Sequence, residues 1–450
     1  MVQQVEPELD NIRRTELNLQ RGLQAWIFAG LAFMLLPGTY LGAWNLIAIA
    51  GRHRLAGADP AWLQAHGHAQ IFGWIGSFIL GIGFYSLTKM AHVPPFAVWR
   101  MWLSWSFWSL GVALRWAANL WRWQWRWMLP VSAVFEFSAF LLFFATVSHH
   151  RPAPGSAAAK DSGSRTWIWV VAAGTLGFLA SLLGNLAAAL QVAVSGAGPA
   201  IPHEWNQRLL VLFTWAFPVV TIWGFSARWL PVFLGLHNPD SRLLVAALLV
   251  NLGAVAIALA GLRVPATALF LTAAGLSAAA LRIFQRGVRP AKITGVHSTF
   301  PGFVRAAYFW LLASAVLSVL AAGWDKAGGL WGASRHALTV GFVATMVFAI
   351  GQRVLPAFCG MRVLFSPRLM FVSLMLLNGG CAIRVISEAG AYEGYWSSLW
   401  PLLPVSAITE MAAVTVFAAN LALTILSVGP KDMPWRAEPA ARRGLSQGQS

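Results

Sequence analysis

The sequence predicts an all-α polytopic membrane protein with twelve transmembrane helices. Of its 450 residues, 58% are apolar and only 10% are charged, and the mean hydropathy is +0.63. Soluble globular proteins rarely have such a composition. A helix needs about 20 apolar residues to cross the hydrocarbon core of a bilayer. We predict spans at residues 23–49, 67–89, 99–119, 128–148, 167–194, 208–231, 241–262, 264–284, 303–323, 335–357, 368–388 and 400–427.

The second and tenth spans share an internal sequence repeat. HGHAQIFG and HALTVGFVATM align at an offset of 268 residues, which matches His68 with His336 and Gly73 with Gly341. At an offset of 125 residues the sixth span aligns with the tenth, and Val211 stands in the position of His336. The repeat predicts three pseudo-equivalent four-helix units, the first and third carrying polar side chains and the second apolar.

The repeat also covers the third and fourth helices of each unit. GVALRW aligns with GCAIRV, which matches Arg115 with Arg384, and LPVSAVFEFSA aligns with LPVSAITEMAA, which matches Glu136 with Glu410. The predicted organisation is a cytoplasmic N-terminal segment 1–22, unit one 23–150, a flexible cytoplasmic linker 151–166, unit two 167–290, unit three 291–429 and a disordered cytoplasmic tail 430–450.

The distribution of basic residues predicts the orientation and the surroundings. With both termini in the cytoplasm, 22 of the 32 Lys and Arg residues lie on the cytoplasmic side, as the positive-inside rule requires. The net charge of +17 is spread over loops between apolar spans, so the expected partner is anionic lipid of the bilayer and not nucleic acid. In this orientation His66, His68 and His336 lie near the outer face.

The histidines at the start of apolar helices are the main candidates for chemistry. Imidazole is costly in hydrocarbon unless it is hydrogen-bonded or bound to a metal, so His68 and His336 form a candidate haem or metal pair. The chain has two cysteines and no C-x-x-C-H sequence, so any haem would be held without covalent attachment, as haem b is. His66 and His68 point about 200° apart on a helix and cannot both face one iron. The repeat favours His68.

Two arginines and two glutamates accompany these histidines. Topology puts Arg115 and Arg384 near the outer ends of their helices and Glu136 and Glu410 about two turns below the same surface. The arginines could pair with the carboxylates of a haem. Alternatively, each arginine neutralises the glutamate of its own unit, and the residues alone leave both interpretations open.

The two histidine motifs resemble those of the NnrS family, whose members are bacterial inner-membrane haem and copper proteins linked to the nitric oxide response. The chain resembles more distantly the catalytic subunit of haem-copper oxidases, whose twelve helices form three four-helix arcs. The resemblance implies a haem between His336 and either His66 or His68, with copper as a further cofactor. In the oxidase pattern a His-Gly pair supplies the ligand of the second helix, which favours His66.

The chain also departs from both patterns. A catalytic copper centre like that of the oxidases would need histidines on the sixth and seventh helices, but Val211 stands on the sixth and the seventh has none. Oxygen reduction and proton pumping are therefore not expected. Where NnrS proteins carry an acidic residue and a methionine, this chain has Ala69 and Gln70, which disfavours copper.

Three functions follow as hypotheses. The first is a haem b protein that senses, binds or detoxifies nitric oxide or another small gas, or passes electrons to a redox partner subunit. The second is a non-redox transporter or assembly factor whose buried Arg and Glu residues bind an anion or relay protons. The third is a copper-only site. The imidazole ligands of this copper site would be His66, His68, His203 and His336. The sequence leaves open whether the protein turns over a substrate.

Overall fold

A computed structural model describes residues 2–90, 96–149, 165–360 and 363–427, with side chains described from residue 14 onward except at 87–90. These residues form twelve long helices and contain no strand, which confirms the predicted all-α class. The predicted N-terminal segment 1–22 is helical from residue 2 and continues into the first span. Most of the predicted linker 151–166 and all of the predicted tail 430–450 lie outside the described residues.

We number the helices α1 to α12 in chain order. Four of them, α1, α2, α6 and α10, contain a short π-helical segment. The helices are α1 (2–52), α2 (60–90), α3 (Trp99–Trp121), α4 (Trp125–His149), α5 (Thr166–Ser195), α6 (His203–Leu234), α7 (Ser241–Leu259), α8 (Arg263–Ala280), α9 (Phe300–Trp324), α10 (Gly329–Phe358), α11 (Pro367–Tyr392) and α12 (Leu402–Leu426).

Eleven of these helices are long and apolar enough to cross a bilayer, and α3 is less apolar than the rest. Its 23 residues include Arg100, Arg115 and six tryptophans, which lower its hydropathy. At a rise of 1.5 Å per residue its length is about 34 Å, which still suffices to span the hydrocarbon core. The chain is thus a multi-pass membrane protein, and the reduced hydropathy of α3 reflects the polar side chains that it carries.

The second helix of each unit lies inside the bundle. In the most apolar 18-residue stretch of α2, α6 and α10, 72 to 78% of the residues are buried inside the protein. The corresponding fraction is 33 to 50% in the other spans except α3. Around them, the third and fourth helices of each unit form tight pairs, namely α3 with α4, α7 with α8 and α11 with α12. Contacts of α4 with α5, α8 with α9 and α12 with α1 close the outer ring. The three inner helices therefore run along a pseudo-threefold axis.

π-helical segments mark the same register position in all three inner helices. The segments are Ala69–Gly76 in α2, Leu212–Val219 in α6 and Ala337–Ala344 in α10. They begin directly after His68, Val211 and His336, the residues that the sequence repeat aligns. π turns are rare and occur mostly as local features near functional sites. The backbone thus carries the threefold repeat even in unit two, where the histidine is missing.

Candidate functional site

The first turns of α2 present two histidines to opposite sides of the helix. His66 faces α1, where its Nδ1 lies 2.8 Å from the carbonyl oxygen of Gly38. His68 faces α4, where its Nε2 lies 3.2 Å from Oε2 of Glu136. A separation of two residues rotates a helix by about 200°, which explains the divergence. Two distinct polar clusters result.

The unit-one cluster consists of His68, Glu136, Arg115 and Asn185. Asn185 of α5 donates from Nδ2 to Oε2 of Glu136 at 3.3 Å, so the carboxylate is held between α2 and α5. The cluster is sealed from solvent, since the exposed fractions are 5% for the His68 side chain, 0% for Glu136 and 2% for Arg115. The charge of Glu136 acts on Arg115. Arg115 and Glu136 are the two opposite charges of this cluster, and neutralisation of one by the other remains a prediction.

The unit-three cluster centres on His336, Glu388 and Arg384. His336 Nδ1 lies 2.8 Å from Oε2 of Glu388 and 3.0 Å from the carbonyl oxygen of Gly332 one turn earlier. Arg384 donates from Nε to Oε1 of Glu388 at 3.0 Å, and its Nη2 lies 3.4 Å from His336 Nε2. Unlike the unit-one cluster, this one retains accessible surface, at 21% of the His336 side chain and 12% of Arg384.

Glu388 is a site residue that the sequence analysis missed. It lies four residues after Arg384 on α11, is 2% exposed, and pairs with both the arginine and His336. A charged pair at i and i+4 inside an apolar helix was the available signal, because such residues are rare in membrane spans without a partner. The repeat drew attention to Glu410 instead, since unit one has Asn119 where unit three has Glu388.

Glu136 and Glu410 occupy equivalent positions against glycines of the preceding helix. A Cβ added at Gly111 would lie 2.8 Å from Cγ of Glu136, and one added at Gly380 would lie 2.8 Å from Cγ of Glu410. Both glutamates thus pass between two closely packed helices. Oε1 of Glu410 is buried and has no hydrogen-bond partner among the described residues.

His66 lies on the side of α2 that faces α1, away from His68. Its ring packs flat on α1, where a Cβ at Gly42 would lie only 2.5 Å from Cε1. Its Nδ1 is held by Gly38, and no hydrogen bond to Nε2 is present among the described residues. His66 and His336 therefore both have Nδ1 fixed by an acceptor, the arrangement that metal-bound histidines usually show.

The fourth candidate imidazole, His203, is the exposed first residue of α6. Within the described ranges, no group of three or more His, Cys, Asp or Glu side chains is close enough to hold a metal ion. His66, His68, His203 and His336 are therefore not gathered into one ligand set.

Known proteins resemble this chain in fold. Among 27 matching chains of solved structures, a haem-copper terminal oxidase dimer determined by cryo-EM aligns with a TM-score of 0.63 over 91% of this chain and 84% of that one. The sequence identity is 12%, so the likeness concerns the fold. No curated protein matches the sequence significantly. A family profile described as Domain of unknown function (DUF8744) matches residues 168–426. Because that match spans more than half of the 450 residues, the chain belongs to the DUF8744 family.

Proposed function

We propose that the protein binds one haem b within the membrane, with His66 and His336 as the axial ligands. The observation that carries the proposal is that the Nδ1 atoms of both rings have oxygen partners. Each Nδ1 is held by an oxygen acceptor, Gly38 for His66 and Glu388 with Gly332 for His336. Such a contact places the proton on Nδ1, and iron at His336 would replace the 3.4 Å contact of Arg384 Nη2 with Nε2. The sealed His68 is the weaker candidate, because its Nε2 already faces Glu136.

The surrounding charges fit the carboxylates of a haem. Arg384 is part-buried beside His336. Arg335, which directly precedes His336 in α10, donates a hydrogen bond to Gln207 of α6 at 2.9 Å. Guanidinium groups pair strongly with carboxylates in a low-dielectric interior. A haem held by both imidazoles would supply one-electron transfer rather than gas binding. The Nδ1 acceptors would hold both imidazoles in place.

We further propose that this haem serves a response to nitric oxide, in a bacterial inner membrane and with both termini cytoplasmic. Support comes from the resemblance of HGHAQIFG and HALTVGFVATM to NnrS motifs and from the basic residues on the predicted cytoplasmic side. Val211 directly precedes the π segment of α6, at the position where a copper ligand of an oxidase-like centre would be needed. Electron transfer to a partner subunit is accordingly favoured over reduction of oxygen.

The proposal is tested by the haem content of the full chain purified in detergent. We expect a Soret band and a pyridine haemochrome of the b type in the wild type. In His66→Ala and His336→Ala the haem-to-protein ratio should fall at least tenfold, because one axial bond is lost. His68→Ala is the matched control, two residues away, and should retain most of the haem.

Three results would contradict this assignment. Loss of haem in H68A with retention in H66A would make His68 the ligand. Absence of haem from the folded wild type would refute haem binding. Copper at stoichiometric amounts without haem would favour the copper-only alternative. A thermal unfolding curve for each variant separates loss of the ligand from loss of the fold.

A second candidate function is transport or proton relay through unit one. The observation in its favour is Arg115, whose buried Nε and Nη1 have no hydrogen-bond partner among the described residues, beside the buried Glu136. Polar groups in such a position mark ion or proton pathways in membrane proteins. This function predicts that the purified protein contains no iron. It also predicts that proteoliposomes containing the protein take up an anion or protons, and that Glu136→Gln abolishes this uptake.

A further inference from the structure

A cavity of about 100 Å³ lies between α2, α6 and α10, the three inner helices. Its walls include layers that consist of one residue from each unit at equivalent register positions. The layers are Phe78 with Thr221 and Met346, Ile79 with Ile222 and Val347, and Ile82 with Phe225 and Ile350. Phe78 follows His68 by ten residues, which is about 15 Å along the helix. This axial cavity is therefore separate from the proposed haem site.

The walls of the axial cavity are almost entirely apolar. Among the lining residues, polar side-chain atoms belong only to Thr221, Ser226 and Trp229. Thr221 donates its hydrogen to the carbonyl oxygen of Phe217 at 2.8 Å, within its own helix. A buried water molecule makes about three hydrogen bonds, more than Ser226 and Trp229 together can supply. Apolar cavities of this kind stay dry, so a water molecule is not the guest that these walls select.

The volume of the axial cavity decides which apolar guest fits. A water molecule occupies about 30 Å³ in the liquid, and a diatomic gas molecule is of comparable size. Dry apolar cavities of about 150 Å³ in other proteins take up xenon. A cavity of about 100 Å³ therefore has room for a diatomic gas molecule or a xenon atom, but not for a hydrocarbon chain. Filling it would restore dispersion contacts that the lining atoms otherwise lack.

We propose that the axial cavity binds a small gas of low polarity, of the class to which dioxygen and nitric oxide belong. Its middle layer consists of Ile79, Ile222 and Val347, whose β-branched side chains are restricted to few rotamers in a helix and so keep the space open. Apolar gases dissolve better in hydrocarbon than in water, so the bilayer around the bundle would supply the guest. The site needs walls from all three units and does not depend on the haem.

Xenon is the probe for this site, because it is apolar and its anomalous scattering locates it in a crystal. Crystals of the full chain under xenon pressure should contain a xenon atom against Ile79, Ile222 and Val347. Ile350→Trp fills part of the cavity and should lower the xenon occupancy at least fivefold. Leu249→Trp, at a position that is 62% exposed, is the matched control and should bind xenon like the wild type. Ile350→Ala enlarges the cavity and should raise the occupancy at low pressure.

Competition in wild-type crystals distinguishes the gases. Prior exposure to dioxygen, or to nitric oxide without oxygen, should lower the xenon occupancy, and the gas with the larger effect is the preferred ligand. Failure of both gases to compete would overturn the proposal. So would xenon found only outside the inner helices, ordered water or a hydrocarbon chain in the axial cavity, or equal xenon occupancy in I350W and L249W. If I350W does not fold, an unchanged occupancy in I350A would contradict the proposal instead.

Discussion

The packing of Glu410 against α11 can be tested with two adjacent glycines. A Cβ added at Gly380 would lie 2.8 Å from Cγ and 3.2 Å from the backbone nitrogen of Glu410, whereas one added at Gly379 would meet nothing within 4 Å. Both residues lie in the interior of α11, so Gly→Ala should favour the helix by about 1 kcal/mol at either position. Only G380A also has to push a helix backbone aside.

The difference between the two variants isolates the cost of that close approach. Overpacking a well-packed contact costs about 1 to 3 kcal/mol, so G380A should be less stable than G379A by about that amount. G379A itself should be at least as stable as the wild type. In unit one, Gly111→Ala should behave like G380A, because its Cβ would lie 2.8 Å from Cγ of Glu136 and 2.9 Å from the Ser132 carbonyl oxygen.

The assay is thermal unfolding of the full chain in detergent, followed with a thiol-reactive dye. The two cysteines, Cys359 and Cys381, are buried, so the dye reports unfolding. Tryptophan emission is an independent signal, because Cys381 is next to the substituted Gly380. If G380A unfolds at the same temperature as G379A or above it, the Glu410 side chain does not run against α11 and the proposed equivalence of the two units fails.

Two further predictions concern charged groups of unit three. Glu388→Gln should destabilise the protein by about 3 to 5 kcal/mol, because it leaves the part-buried Arg384 without its carboxylate. Glu204→Gln, which removes one partner of an exposed ion pair, should cost less than about 1 kcal/mol. The thermal unfolding assay described above measures both variants. For Glu393, partial burial raises the pKa of the carboxyl, but hydrogen bonds from the backbone N–H groups of Lys326, Gly329 and Ala327 outweigh that effect and hold the pKa below its ordinary value of 4.5. The stability that Glu393 contributes is therefore present above pH 4.5 and is lost as the pH falls through the lowered pKa, which amide exchange of the loop before α10 would measure.

These two predictions have distinct failures. A double variant in which Arg384 and Glu388 both become Gln should recover part of the E388Q loss, and no recovery would show that the pair is not coupled. For the loop, E393Q should remove the pH dependence of amide protection. A wild type whose protection is constant between pH 6 and the acid unfolding range would contradict the assigned role of Glu393.

The rotation of α2 about its own axis could not be predicted from the sequence. Internal alignment favoured His68 as the partner of His336, and the His-Gly pattern favoured His66. Helical periodicity alone says that the two rings point apart, but it does not say which neighbour each one meets. That is decided by the rotation of α2 against α1, where Gly42 leaves room for the His66 ring and the carbonyl oxygen of Gly38 contacts its Nδ1.

The membrane class, the twelve spans and the register of the repeat were determined by the sequence, because apolar length and self-similarity are properties of the chain itself. Two features were decided only by the tertiary structure: the choice of Glu388 over Glu410 as the direct partner of His336, and the helices that His66 and His68 each contact. Each depends on distances between helices far apart in sequence, and packing sets those distances to within an ångström.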